Sequence, residues 1–151
     1  MFNEYWQLEK LLDELRPYAS SEVMGSTQSN VPVIAYFGGV HGLEKIGSEV
    51  LFSYLHTLNA LLRWDEELQS RLEKVRLVFV PMVNPVGVMQ GTRCNGNGVD
   101  LMRNAPIEGV GKTRLHSGHR ISCRLPWYRG NPEKMEVEAL ALCQVVRQQF
   151  E

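Results

Sequence analysis

Two short apolar segments rich in β-branched residues constrain the fold of this chain more than any other feature. The first, VPVIAYFGG, spans residues 31–39 and ends at two glycines, and the second, VRLVFVPMVN, spans residues 75–84. Continuous apolar runs of this length predict strands, and we expect the first to be a central strand buried on both faces. Residues 45–62 and 64–74 carry apolar side chains at helical spacing. The order strand, helix, strand predicts a right-handed crossover and a parallel pair of strands.

The remaining segments extend this α/β interpretation. Residues 2–18 and 133–149 also show helical spacing of apolar side chains, and residues 19–30 have the composition of a loop. Residues 85–131 form a long glycine-rich segment with little periodicity, and loops of that length in compact domains are often functional. The length predicts a single domain, residues 1–151. Because a doubly wound sheet needs another strand after the last helix, we expect this domain to be the N-terminal portion of a longer fold.

Composition and charge argue against several classes of protein. The formal net charge of −1 disfavours a general binder of nucleic acid or of anionic membranes. No apolar run approaches the roughly 20 residues of a membrane helix, and the acidic N-terminal segment shows no cleavage site of a secretory signal. Cys94, Cys123 and Cys143 are odd in number and lack a CxxC pairing, which predicts neither a thiolate metal site nor a disulfide framework. We therefore expect a cytoplasmic protein without nucleic-acid or membrane partners.

A histidine and a glutamate follow the first predicted strand directly. Ligands of open α/β sheets bind at the carboxyl ends of strands, and His41 and Glu44 lie just past such an end. The HxxE spacing offers an imidazole nitrogen and a carboxylate oxygen within one turn, both suited to Zn²⁺. On these two residues alone, a hydrogen-bonded loop histidine is the stronger interpretation. Gly38, Gly39 and Gly42 favour a site, because glycines let the backbone fold tightly around it.

The segment after the second predicted strand adds complementary chemistry. NPVGVMQGTRCNGNGVDLMRN, residues 84–104, supplies Arg93, Asp100 and Arg103, and we expect it to reach the same edge of the sheet. A guanidinium matches a carboxylate and also stabilises a developing oxyanion. A carboxylate can orient a metal-bound imidazole through the other ring nitrogen. The two segments together therefore predict a metal and anion site.

These motifs resemble the zinc metallocarboxypeptidase family, the carboxypeptidase A-like peptidases, and within it the bacterial branch. That family carries an HxxE motif after a strand, then N-P-D-G, then R-x-N with G-V-D-L-N-R-N. The matching residues in this chain are Asn84-Pro85-Val86-Gly87, Arg93-Cys94-Asn95 and the seven-residue motif GVDLMRN at 98–104. YRG followed by MEVEALAL, within residues 128–142, is similar to the family's tyrosine-glycine loop and S-E-P-E helix. The matches keep the family order over most of the chain.

The resemblance implies a set of metal-site residues. His41 and Glu44 match the first two zinc ligands, and Asp100 matches the carboxylate that holds the histidine ring. The family's third ligand, a histidine, and its catalytic glutamate are expected beyond residue 151. His116 and His119 form an HxxH pair within this chain, but they precede the YRG segment, and we interpret them as polar loop residues.

The resemblance also implies the residues that contact the substrate. Arg93 matches the catalytic arginine that polarises the scissile carbonyl and stabilises the oxyanion. Arg103 matches the arginine that grips the terminal carboxylate of the substrate, and Asn104 is assigned to the same substrate-binding group. Met102 stands where the family has an asparagine. Because a thioether cannot donate a hydrogen bond to a carboxylate, recognition of an ordinary free C-terminus is put in doubt.

The implied fold is a mixed, largely parallel sheet flanked by helices, the carboxypeptidase-like (phosphorylase/hydrolase-like) fold, incomplete at its C-terminus. The implied function is a zinc-dependent hydrolase that cleaves a peptide or amide bond next to a carboxylate, in a peptide or a small carboxylate-bearing amide. Two alternatives stay open. One is a non-catalytic or truncated relative that keeps the fold and an anion-binding pocket, and the other is an amidohydrolase or deacylase of N-acyl amino acids. A nucleotide-binding domain is disfavoured because no GxGxxG motif follows either strand.

Overall fold

The computed structural model describes residues 19–20, 23–105, 127–131 and 134–150. The strands in these ranges are β1 (Ala19–Ser20), β2 (Val23–Gly25), β3 (Val33–Phe37) and β4 (Arg76–Val80). The helices are α1 (Ile46–Leu61), α2 (Glu66–Leu72), α3 (Pro85–Gln90), α4 (Leu101–Asn104) and α5 (Val137–Phe150). The helix predicted at residues 2–18 lies outside the described residues, as do His116 and His119.

The four strands form one mixed sheet in the order β1-β2-β4-β3. β3 and β4 are parallel, with Val33 beside Arg76 and Phe37 beside Val80, as the strand–helix–strand pattern predicted. β1 pairs with β2, and β2 with β4, in antiparallel orientation. The predicted mixed α/β fold with flanking helices is confirmed, and residues 19–30, predicted to be a loop, contribute the two antiparallel strands.

The prediction of a central strand at residues 31–39 was wrong for the described part of the chain. Leu77, Val78 and Phe79 of β4 are buried, whereas Ile34 and Phe37 of β3 are 45% and 37% exposed. In the described residues β3 lies at an edge of the sheet and pairs only with β4, whereas β4 pairs with β3 on one side and with β2 on the other. An apolar run predicts a strand, but it carries no information on the order of the strands in the sheet.

The described residues divide into two compact units, one formed by residues 19–38 and 46–81 and the other by residues 39–45 and 82–150. In the first unit, Leu51, Leu55 and Leu58 of α1 follow helical spacing and are buried. They belong to a hydrophobic core with Met24, Leu62, Leu72, Leu77 and Phe79. None of the helices in the described ranges has the length and apolar character needed to cross a membrane.

Three helices lie in the described part of the second unit. α3 begins with Asn84, whose side-chain oxygen accepts a hydrogen bond from the Gly87 amide, and with Pro85 in the first turn. It ends at Gly91, which has a φ of 65°. The prediction of a structureless segment at residues 85–131 was therefore wrong where α3 and α4 lie. These helices have six and four residues, too few for a periodic pattern to show in the sequence.

Candidate metal and anion site

The loop of residues 39–45 lies close against the backbone at the start of α3. A Cβ atom on Gly42 would lie 1.9 Å from the carbonyl carbon of Gly87, so only glycine fits at this position. The Asn84 amide N–H donates to the carbonyl of Gly39 at 2.9 Å, and the Asn84 side chain donates to the carbonyl of Val40 at 3.3 Å. Asn84 is fully buried. These contacts fix the backbone that carries the HxxE pair.

His41 contacts a carboxylate through each of its ring nitrogens. Nδ1 lies 3.3 Å from Oε2 of Glu44, and Nε2 lies 3.2 Å from Oδ1 of Asp100. The Glu44 amide N–H also donates to the His41 carbonyl at 3.0 Å, which closes a tight turn between the two residues. His41 is buried, whereas the Glu44 side chain is 52% exposed. The imidazole is therefore held from inside the protein and faces a solvent-accessible carboxylate.

Asp100 is fully buried and connects the other predicted residues to His41. The Arg93 guanidinium donates from Nε to Oδ2 of Asp100 at 2.9 Å and from Nη1 to Oε1 of Glu44 at 3.1 Å. Arg103 Nε lies 3.5 Å from Oδ2 of Asp100. We refer to His41, Glu44, Arg93, Asp100 and Arg103 as the Asp100 cluster. All five belong to the second unit, so the structure brings together the residues that the sequence singled out.

The charges within the Asp100 cluster balance when the imidazole is neutral, since two carboxylates face two guanidiniums. Removing a carboxylate from water is costly unless it is paired and hydrogen-bonded, and Asp100 meets both conditions. The side chains of Arg93 and Arg103 remain 26% and 30% exposed. Each arginine therefore has an exposed portion that can reach an anion from solvent.

Asn95 fixes the loop between Arg93 and Asp100, a role that the sequence interpretation did not foresee. Its side-chain oxygen accepts hydrogen bonds from the amides of Asn97 and Val99, each at 3.0 Å. Its side-chain nitrogen donates to Glu136 at 2.9 Å and to a second glutamate, at position 138, at 3.2 Å. The Asn-Gly-Asn-Gly composition of this stretch signals an Asx turn, which could have revealed the bond from the Asn97 amide.

Asn104 bridges α4 to the segment before α5. Its side-chain nitrogen donates to the carbonyl of Arg129 at 2.9 Å, and its side-chain oxygen accepts from the Glu136 amide at 2.6 Å. The Asp100 amide donates to the Tyr128 carbonyl at 2.8 Å, which adds a second tie to the same segment. Asn104 is buried in these contacts. Its assignment to substrate binding stays a prediction.

Trp127 lies beside Arg103. The centre of its ring is 6.0 Å from Cζ of Arg103, within the range of a cation–π interaction. Its φ of 65° places a bulky residue in the left-handed region, where such residues are rare. Met102, immediately before Arg103, is 61% exposed. Arg103 therefore has an aromatic neighbour in space and an apolar neighbour in sequence.

Cys94 follows Arg93, and its environment disfavours the thiolate. Partial burial raises the pKa of the Cys94 thiol above its ordinary value, and the negative charge of Asp100 raises it further. The positive charge of Arg93 lowers the same pKa but does not overcome the two other effects. A thiol in this state is a poor metal ligand and a poor nucleophile near neutral pH.

His41 and Glu44 fit a zinc ion in donor chemistry and in spacing. Two donors held roughly 2.0–2.2 Å from one tetrahedral ion lie about 3.3 Å apart, which matches the separation of His41 Nδ1 and Glu44 Oε2. If Nε2 donates its hydrogen bond to the Asp100 carboxylate, Nδ1 is the ring nitrogen left for a metal, on the side that faces Glu44. Over the described ranges, no group of three or more His, Cys, Asp or Glu side chains is arranged to hold a metal.

A family model described as zinc carboxypeptidase (Peptidase_M14) matches residues 14–151, and the chain belongs to this family. Carboxypeptidase SOL1 of Arabidopsis thaliana is 36% identical over 75 residues, which is 50% of this chain and 15% of that protein. Carboxypeptidase D of Anas platyrhynchos is 30% identical over 121 residues, covering 69% of this chain and 9% of the relative.

A solved structure, the murein-tripeptide amidase MpaA from Escherichia coli O157, has a TM-score of 0.48 and 28% sequence identity to this chain. The match covers 83% of this chain and 49% of that one. This chain spans less than a fifth of the length of the curated relatives described above. The family membership predicted from the motifs is confirmed.

Proposed function

We propose that this chain provides part of the active site of a zinc-dependent hydrolase that cleaves a peptide or amide bond next to a carboxylate. The observation that carries the proposal is the Asp100 cluster, in which one buried carboxylate contacts the imidazole of His41 and the guanidiniums of Arg93 and Arg103. In this proposal His41 and Glu44 hold zinc, and Arg93 is the catalytic arginine. Arg103 binds the carboxylate of the substrate, with Asn104 assigned to the same group.

Each residue in the proposed site has a chemical task that its contacts support. Asp100 orients the His41 ring and fixes its tautomer, so that Nδ1 is the nitrogen available to a metal. A zinc ion held there would polarise the substrate carbonyl and activate a water molecule. Arg93 is held by two carboxylates while its side chain stays 26% exposed, which suits it to stabilise an oxyanion.

Zinc titration of the purified chain tests the metal half of the proposal. We expect Zn²⁺ to shift the ring NMR signals of His41, and the zinc affinity to fall at least about tenfold in Glu44→Gln, because the carboxylate ligand is lost. Glu49→Gln removes an exposed acidic residue at the start of α1 and should leave the affinity unchanged. Equal zinc affinity in Glu44→Gln and the unaltered chain would reject the assignment of Glu44.

Hydrolysis tests the catalytic half. A protein that contains this chain together with the rest of the active site should cleave a panel of peptides with free C-termini and of N-acyl amino acids in a zinc-dependent manner. Arg93→Lys should lower kcat strongly, because lysine cannot reproduce the two-carboxylate contact of the guanidinium. Turnover that a metal chelator leaves unchanged would contradict the proposal. Preference for N-acyl amino acids over peptides would support the amidohydrolase or deacylase alternative.

A non-catalytic relative that keeps an anion-binding pocket is the second candidate function. It is favoured by the finding that, within the described ranges, His41 and Glu44 have no third acidic, histidine or cysteine side chain arranged with them around a metal. This alternative predicts that carboxylates bind at Arg103 while the whole substrate panel remains uncleaved. Cleavage of any panel member with zinc present would exclude it.

The proposal includes a cytoplasmic location. Cys94 and Cys143 are free thiols, as is usual in a reducing compartment. Detection of the protein in a cytosolic fraction would support this part, and detection in an exported fraction would contradict it. The expected absence of nucleic-acid and membrane partners stays a prediction.

A further inference from the structure

We propose that Trp127 is a specificity-determining residue that makes the anion subsite at Arg103 selective for carboxylates carrying an aromatic or other flat apolar group. This inference rests on the proposed function, since it takes Arg103 to be the residue that binds the substrate carboxylate. It goes further by naming the chemistry next to that carboxylate.

The first observation concerns how Arg103 is held. Its Nε atom is buried and has no hydrogen-bond partner within the described ranges, and the nearest oppositely charged atom, Oδ2 of Asp100, is 3.5 Å away. The guanidinium is therefore attracted to the protein interior by charge without a hydrogen bond at Nε. Its contact with the Trp127 ring, at 6.0 Å, is a second attraction that acts from another direction.

The second observation is the backbone conformation of Trp127. A tryptophan at a φ of 65° is unfavourable, and such positions persist where the surrounding structure holds them. Gly130, three residues later, has a φ of 75°, and a Cβ atom there would lie 3.1 Å from the side chain of Asn104. The segment carrying Trp127 is thus fixed against α4, the helix that carries Arg103.

The third observation is that Met102, the residue before Arg103, has no hydrogen-bond donor in its side chain. This side chain is also largely exposed. A carboxylate at Arg103 then depends on the guanidinium for its charge-assisted bonds, and Trp127, a residue that is 37% exposed, lies beside it. Aromatic rings stack favourably on one another, so a ligand with a ring near its carboxylate gains a contact that acetate lacks.

The experiment compares two probes, sodium phenylacetate and sodium acetate, by NMR titration of the purified chain at constant ionic strength. The signals followed are the indole N–H of Trp127 and the backbone amides of residues 101–104. We expect phenylacetate to bind more tightly than acetate. We expect the ratio of the two affinities to fall roughly two- to fivefold in Trp127→Asn, the range of an exposed cation–π or stacking contact.

Asparagine is chosen because it tolerates a positive φ, so the variant removes the ring without adding backbone strain. The matched control is Trp64→Asn, which removes an exposed tryptophan from the first unit and should leave the ratio unchanged. Met102→Asn adds an amide donor and should strengthen the binding of both carboxylates to a similar extent, leaving the ratio unchanged. In the tryptophan variants the amides of residues 101–104 report binding.

The outcomes separate the inference from the function on which it rests. Arg103→Met keeps the aliphatic stem and removes the charge, and it should abolish binding of both probes. If it does so while Trp127→Asn leaves the affinity ratio unchanged, the anion site stands and the specificity role of Trp127 is wrong. If Arg103→Met binds both probes as well as the unaltered chain, or if the unaltered chain binds neither probe, the proposed anion site fails and the inference fails with it.

Discussion

Asp100→Asn tests whether the buried carboxylate holds the site together. The substitution keeps the shape of the side chain but removes the negative charge that faces His41, Arg93 and Arg103. Removing one partner of a buried ion pair costs roughly 3–5 kcal/mol, because the remaining charge is left desolvated and unpaired. The side chains of Arg93 and Arg103 are 26% and 30% exposed to solvent. Solvent therefore offsets part of the loss, and we expect about 3 kcal/mol, the lower end of that range.

The control for this prediction is a shorter but exposed ion pair. Glu67 and Arg71 on α2 are joined at 2.6 Å, yet both side chains are about three-quarters exposed. Glu67→Gln should therefore cause no resolvable loss of stability, since exposed pairs are screened by water and salt. The contrast separates the effect of burial from the effect of distance, because the buried contact of Asp100 with Arg93 is longer, at 2.9 Å.

Urea unfolding followed by circular dichroism measures both variants. A loss of about 3 kcal/mol in a chain of this length corresponds to a fall in Tm of roughly 6–12 °C. Asp100→Asn should unfold at a clearly lower urea concentration than Glu67→Gln. Equal midpoints for the two variants would show that the Asp100 cluster contributes nothing to the fold, and the argument from buried charge would be wrong.

Three further predictions address the surroundings of the cluster. Gly42→Ala should cost about 3 kcal/mol or more in unfolding free energy, because its Cβ would strike the backbone of Gly87. Gly96→Ala should cost much less, since the nearest atom belongs to a side chain 3.3 Å away, and equal losses would refute the steric argument. Alkylation of Cys94 can be followed alone in a variant whose other two cysteines are serine. The pH at which the alkylation rate is half its maximum should be higher in the folded chain than in urea, because burial and Asp100 raise the pKa of Cys94. The same half-maximal pH in both conditions would contradict this. Asn95→Asp should destabilise the chain at neutral pH by facing two glutamates with a third carboxylate. Repulsion raises the folded pKa of the new carboxyl group, so the deficit should shrink as the pH falls toward about 4, and a deficit that does not depend on pH would exclude this explanation.

The local chemistry of the site could be predicted from the sequence because it is encoded in short motifs. HxxE places His41 and Glu44 within one turn, and a spacing of three residues sets Asp100 and Arg103 in contact range. The helices α1 and α5 were predicted to within a few residues, since each is long enough for its apolar periodicity to show.

The interactions that unite these motifs depend on contacts between distant residues. His41 meets Asp100 across 59 positions, and Asn95 meets Glu136 across 41, separations that no local pattern encodes. The order of the strands and the position of Trp127 beside Arg103 also depend on contacts between residues that are distant in the sequence. The sequence by itself determined which chemical groups are present and how neighbours along the chain are spaced. Tertiary structure decided which groups meet, because burial of Asp100 is tolerable only where charges from separate segments converge on it.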